Sequence, residues 1–318
     1  MALFNVGMLI GNLRKARKMT QEQLAEGICD RSTITKIEKG TRKPDWFTFR
    51  NIMYRLGEEP EEFFSSYADK NEMLVLEKHR ALNDSLWKFD YKGLKIELDE
   101  LEKNPLFAPP REKSVKKTLG YLIFLRFKAC LHQQGEYKDP PLALKYILEA
   151  IKYTRPDFAI DKIPDYFLAP DEFHLLNTFA SILRDTEGMS AAINVWLKLK
   201  DNYERGYALN QKTRIAYRDL VVNISISLKL SGRYEECLEM ATEGIATSQK
   251  NDDMRAYSRF LYQKAFCLMK LGKKEEGRAL YKKFLMFAYV LDGYANISFE
   301  TVKKEFEDVF GEEAPSFE

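Results

Sequence analysis

The sequence predicts an all-α protein, a small helical head followed by a solenoid of stacked helix pairs. Three observations predict it. Thr20–Gly40 has the pattern of two short helices at a tight turn. From Tyr67 onward apolar residues recur at helical spacing, with no alternating run of the strand type. Two later stretches, Asn223–Gly244 and Gln263–Phe284, match each other at a separation of about forty residues.

In chain order, Val6, Leu9, Ile10, Leu13 and Ala16 space a first helix that ends in a basic turn, Arg14 to Lys18. Thr20 with Gln23 has the capping-box spacing, so a second helix begins at Gln21 and buries Leu24, Ala25 and Ile28. Asp30 is placed to cap a third helix whose Ile34 and Ile37 point back at the second, and Gly40 suits its end. That phase leaves Arg31, Ser32, Thr33, Thr35 and Lys36 facing outwards. An apolar back with an Arg/Ser/Thr/Lys front is what a major groove accepts: arginine pairs with guanine edges, hydroxyls reach base or phosphate, and lysine neutralises the backbone. After the loop Thr41–Asp45, Trp46, Phe49, Ile52, Met53 and Leu56 form the stripe of a fourth helix, and Pro60–Ser65 closes the head with Phe63 and Phe64.

Taken together, Q-E-Q-L-A followed by S-T-I-T-K-I-E-K-G resembles the lambda-repressor-like (Cro/XRE) helix-turn-helix family over roughly Phe4 to Phe64. The resemblance implies that Gln21 and Arg31–Thr33 hold base- and phosphate-contacting positions and that Glu38 is structural. Arg17, Lys18, Arg42 and Lys43 are placed to touch phosphate. Charge agrees. The chain is +2 overall, but residues 1–57 carry eleven cations against five carboxylates, +6, which leaves −4 for the remainder. Positive charge gathers where the groove-reading helix lies.

The 318 residues allow more than one domain. No apolar run has the length of a membrane span, and the start has no basic segment ahead of an apolar one, so a cytoplasmic protein is expected. The four cysteines and three histidines are scattered without metal-ligand spacing, and neither metal nor cofactor is expected.

Beyond the head, Pro and Gly cut the chain into five expected helix pairs: Asp69–Lys103, Arg111–Thr154, Pro170–Tyr203, Gln211–Lys250 and Asp253–Leu291. In the two matching copies Leu228/Leu268, Gly232/Gly272, Cys237/Gly277 and Ala241/Tyr281 fall in register, and Asp90–Gly93 reads as the turn of a more divergent copy. Each pair buries one face only by stacking on the next, which makes a superhelix. The last two copies are similar to tetratricopeptide repeats in their small residue (Ser225, Ala265), leucine, turn glycine and Tyr234. A final helix, Ser298–Phe310, starts at a serine cap and covers the open end. The organisation expected is a DNA-binding domain over 1–66, a repeat domain for peptide binding and dimerisation over 67–295, and a capping helix and tail over 296–318.

In tetratricopeptide repeats the residue two before the small position points into the concave surface, which here selects Asn223 and Gln263. Asn177 and Arg126 lie at or next to the same place. Amides spaced on successive helices either bridge those helices or clamp the backbone of an extended peptide, and both readings stand. Tyr217, Arg218, Tyr262, Lys264 and Arg184 are candidates for aromatic walls and for a partner to a terminal carboxylate. As a whole the chain resembles the peptide-responsive quorum-sensing regulators of Gram-positive bacteria, the Rgg, PlcR and PrgX type. That resemblance implies a homodimer, a two-fold double-stranded DNA operator and a short signalling oligopeptide in the concavity. The alternative is an XRE-family repressor controlled by a protein partner or by no peptide. An enzyme is not expected: there is no Gly-rich phosphate loop and no nucleophile–base constellation, and Glu235-Glu236 and Glu275-Glu276 are helix-start residues.

Overall fold

The computed structural model describes residues 6–63, 70–109, 119–205, 211–251, 253–290 and 299–316. Among these residues every regular element is a helix. By internal contacts the chain divides into two compact units, Met1–Arg214 and Ile215–Glu318.

The first unit opens with α1 (Val6–Ala16), α2 (Gln21–Ala25), α3 (Arg31–Glu38) and α4 (Trp46–Arg55), then a 3₁₀ turn at Pro60–Phe63. Ile10, Leu24, Ile34, Ile37, Trp46, Phe49, Ile52, Met53 and Leu56 meet in one core with Phe63 against it. Ala16 is exposed, because α1 has turned away from the core by its last turn. Phe64 lies outside the described residues.

Local signals act as their chemistry dictates. The Thr20 hydroxyl accepts from the Gln23 amide at 3.1 Å, and the Gln23 side chain accepts from Thr20 N–H at 2.8 Å. Asp45 caps α4 through Thr48 N–H at 2.9 Å. Asp30 does stand at the N-cap of α3, but its side chain makes no capping bond. At the other end of α3, Gly40 takes φ 71°, Thr41 N–H reaches Lys36 O, and Gly40 N–H reaches Ile37 O, a Schellman closure. Gly7 lets α1 approach α3: a Cβ there would sit 1.9 Å from Ile37 O.

Three helix pairs follow in this unit: α5 (Lys70–Trp87) with α6 (Tyr91–Leu101), α7 (Leu119–Gln133) with α8 (Pro140–Thr154), and α9 (Pro170–Thr186) with α10 (Met189–Glu204). The α5–α6 turn corrects the expectation for Asp90–Gly93. Phe89, not Gly93, takes the left-handed conformation (φ 56°), while Asp90 caps α6 through Gly93 N–H at 2.8 Å. Between α8 and α9 runs a segment that periodicity does not foresee, with a 3₁₀ helix at Ile160–Asp165. The fully buried Asn202 holds it, donating to Ile163 O at 2.8 Å and Tyr166 O at 2.6 Å.

The second unit contains most of α11 (Gln211–Leu230), then α12 (Tyr234–Lys250), α13 (Met254–Lys270), α14 (Lys274–Val290) and α15 (Phe299–Phe310). The two matching copies have the same turn. Gly232 and Gly272 take φ 72° and 80°, and the next residue's N–H closes on Leu228 O and Leu268 O at 3.0 and 2.9 Å. Ser225 and Ala265 are fully buried, and a Cβ at Gly277 would lie 2.7 Å from the Met269 side chain. The small residues therefore mark the places where paired helices touch. Val302 and Phe306 of α15 pack on Leu261, Tyr281, Phe284 and Leu285, so the final helix does cover the last pair; its expected cap Ser298 is outside the described residues.

Candidate functional site

The outward face of α3 is cationic and unspent. Arg31, Ser32 and Lys36 are exposed, and among the described residues none uses a side-chain donor within the protein. Ile34 and Ile37, fully buried, fix the rotation of that face. Arg42 and Lys43 are exposed just past the helix. On the other side, exposed Arg17 lies 3.5 Å from Glu58, and Lys18 turns the chain with φ 55°.

Three expected contact residues are partly or wholly engaged inside the protein. Thr33 is buried, because it shares the phase of Ile37 four residues on; its hydroxyl accepts from Arg42 Nη1 at 3.2 Å. Gln21 donates to Glu38 Oε2 at 2.8 Å, and its amide oxygen accepts from Thr35 Oγ1 at 2.9 Å. Glu38 also takes Arg14 Nε at 2.6 Å and Nη2 at 2.9 Å. Burial pushes the Glu38 carboxyl up, but the bonds from Arg14 and Gln21 outweigh it and hold the group below its ordinary range. Gln21, Thr35 and Glu38 thus form a polar brace between α2 and α3. The structural role expected for Glu38 extends to two residues expected on the DNA side.

The nine candidate groove residues separate by what they bond. Asn177 Oδ1 accepts from Trp196 Nε1 at 2.8 Å, so this amide bridges α9 to α10 of its own pair. Arg184 pairs with Asp185 at 3.2 Å. In the second unit the buried Tyr217 donates to Glu243 at 2.5 Å. Arg218 donates to Asp219 at 2.7 Å and to Asp253, the cap of α13, at 2.6 Å. The Tyr262 hydroxyl donates to Glu305 of α15 at 2.8 Å. Each has a partner on an adjacent residue or a neighbouring helix, and its role is first of all structural. Asn223 and Lys264 are partly exposed. Gln263 is buried at 5% exposure rather than open to a groove, and its Oε1 has no hydrogen-bond partner among the described residues. Arg126, partly exposed on α7, likewise has a buried Nε without a hydrogen-bond partner among the described residues.

Residues 10–63 match the family model described as helix-turn-helix. The head is a helix-turn-helix domain. No curated protein matches the chain. Among solved structures, Bacillus thuringiensis PlcR in complex with the peptide PapR7 and DNA is similar at a TM-score of 0.57 and 18% identity, over 98% of this chain and 100% of that one. The apo form of the same protein gives 0.51 at 18% identity, over 90% and 96%. The chain therefore shares the PlcR fold.

The helix-turn-helix domain has a second arginine-rich face that the sequence pattern does not separate from the first. Arg50 and Arg55 are 5% and 8% exposed. Arg50 donates through both terminal nitrogens to Asp171 at the start of α9. Arg55 collects carbonyls at the end of α2, Gln23 O and Leu24 O at 3.2 Å and Glu26 O, then reaches Phe167 O at 2.6 Å. Arg155, after α8, also donates to Phe167 O at 2.6 Å and pairs with Glu172 at 3.2 Å and Glu26 at 3.6 Å. Burial alone would raise the Asp171 carboxyl, but Arg50 holds it well below the usual range. Two of the eleven head cations are thus spent inside the protein and fasten the helix-turn-helix domain to the 155–172 segment. Their signal was faint but present: both sit beside apolar stripe positions of α4, where a solvated charge does not belong.

Proposed function

We propose that the chain is a cytoplasmic, homodimeric, DNA-binding transcriptional regulator whose repeat domain takes a short signalling oligopeptide, the peptide altering dimer geometry and hence DNA binding. The observation that carries the DNA half is the outward face of α3. Arg31, Ser32 and Lys36 have donors the protein does not use, on a helix whose rotation is fixed by buried Ile34 and Ile37. In this reading Arg31 and Ser32 meet bases, and Lys36 meets base or backbone. Arg17, Lys18, Arg42 and Lys43 meet phosphate, and Gln21, Thr33 and Thr35 brace the helix. The helix-turn-helix domain occupies 1–66, the repeats 67–295 and the capping helix and tail 296–318.

The peptide half is supported by the fold of PlcR, a protein whose structure holds both the PapR7 peptide and DNA. It is also supported by Arg126 and Gln263, whose buried polar atoms lack partners among the described residues. A peptide that binds one repeat curvature better than another shifts the population of dimers whose recognition helices are one DNA turn, roughly 34 Å, apart. Native mass spectrometry of the protein purified from its host tests this. The expected species is a dimer carrying the mass of a short peptide. A bare dimer that also fails to bind pooled peptides in titration would reject the peptide half and turn attention to a protein partner.

A further inference from the structure

The unpartnered Arg126 defines a more specific site. Arg126 stands on α7, the first helix of its pair, and α7 packs against α5 and α9, the first helices of the pairs on either side. Its guanidinium makes no hydrogen bond or ion pair among the described residues, and its Nε is buried. The contact it does have is with the Phe127 ring, whose centroid lies 5.3 Å from its Cζ. Stacking on a ring supplies part of what a partly buried cation needs but leaves the buried Nε–H unsatisfied.

Charged and titratable groups that act on neighbouring His174 of α9 include Arg126, Asp171, His79 and Arg50. Asp171 is already bonded by Arg50 through both carboxylate oxygens. Burial, followed by the nearness of Arg126, pulls His174 down to about 4, so its imidazole is neutral at pH 7. Arg50 occupies that carboxylate, and Arg126 has no ion pair among the described residues. A buried N–H is ordinarily bonded, because desolvating it without a partner costs free energy.

We infer that Arg126, flanked by His174 and His79, is a carboxylate-binding subsite, and that the oligopeptide ligand is acidic at the position that meets it. The inference rests on the peptide reading above and narrows its ligand to a class. A guanidinium suits a carboxylate because its planar fork offers two parallel N–H donors to the two oxygens, and the bonds are charge-assisted. His174 can donate or accept beside it. The same cluster adjoins Asp171, the group that holds Arg50 of the helix-turn-helix domain. A carboxylate at Arg126 therefore adds negative charge next to the contact that fastens the DNA-reading domain.

The test uses the full chain and pools of synthetic peptides of about six residues. The pools are matched in pairs that differ in one carboxylate, Glu against Gln internally and free acid against amide at the C-terminus. Binding is read by native mass spectrometry. The wild type should favour the acidic member of at least one pair by about tenfold or more, the worth of one charge-assisted bond. R126M should erase that preference while still capturing neutral peptides. R126M should also melt at a higher temperature than the wild type without peptide, because it removes a buried N–H donor that nothing bonds among the described residues; a merely structural arginine would lower it. Peptides that bind with no acidic preference, or a preference that survives R126M, would overturn this subsite and leave the peptide reading standing. If no pool binds at all, both fall.

Discussion

Arg31 and Arg55 belong to one small domain, twenty-four residues apart, and meet opposite surroundings. Arg31 opens a helix face to solvent with its guanidinium unspent, whereas Arg55 is buried and shared among carbonyls from α2 and from Phe167. The net charge of the head counts them alike. What separates them is helical phase. On α3 the apolar residues Ile34 and Ile37 turn inward and carry Arg31 out, while on α4 the apolar stripe is so broad that Arg50 and Arg55 are drawn in with it. A basic domain therefore has a face left open and a face that fastens, and only the partner geometry tells them apart.

The fastening face is where the largest effect is expected. Arg50→Ala leaves Asp171 without its cation, and breaking a buried pair from one side costs about 3–5 kcal/mol. Chemical denaturation that shows a loss under about 1 kcal/mol would mean the Arg50–Asp171 contact is open in solution. The same contact sets an acid limit. Asp171 has a lowered pKa and is stabilising above its ordinary 3.8, a contribution lost as pH falls through its folded value. His174 is lowered from 6.5 to about 4, so the unfolded chain takes up its proton first. Both signs agree: stability should decline from about pH 6.5 downward, first through His174 and then through Asp171. Replacing His174 with Asn should flatten the upper part of that decline, and an unchanged profile would remove His174 from the account.

The reading face should show a middle-sized effect of a different kind. Arg31→Ala is expected to weaken specific DNA binding by about 1–3 kcal/mol while leaving the melting temperature in place. A variant that melts early instead would place Arg31 with Arg55 and collapse the contrast between the two faces. The smallest effect is local. Thr20→Ala removes the hydroxyl half of the capping box and should cost about 1 kcal/mol of stability, read by denaturation, with DNA affinity changed only in proportion to the fraction unfolded.

How much of this was legible in the sequence follows from the range of each interaction. The capping box at Thr20–Gln23, the Schellman end at Gly40 and the paired turns at Gly232 and Gly272 are set within a few residues, and the sequence pattern predicts them. The five helix pairs and the covering helix follow from apolar spacing for the same reason. Thr33 was readable and misassigned: its place four residues before Ile37 puts it on the buried side of α3. The left-handed turn at Phe89 carried no signal, since a non-glycine residue there takes the conformation that Gly232 takes in its own turn. Arg50 with Asp171, and Arg155 with Glu26, join residues more than a hundred positions apart, and no local pattern encodes such a pairing. For the groove candidates, residue type and phase pick out polar side chains on the first helices of pairs. They could not tell an amide that meets its own Trp196 from a guanidinium that has no hydrogen bond among the described residues.

The most direct measurement is selection of the full-length protein on random double-stranded DNA, repeated with Arg31→Ala. The account predicts a two-fold site with half-sites about one helical turn apart, and a loss of preference at one base position per half-site in the variant. Enrichment of no site, or of one that Arg31→Ala reads identically, would contradict the claim that the outward face of α3 is where this protein meets DNA.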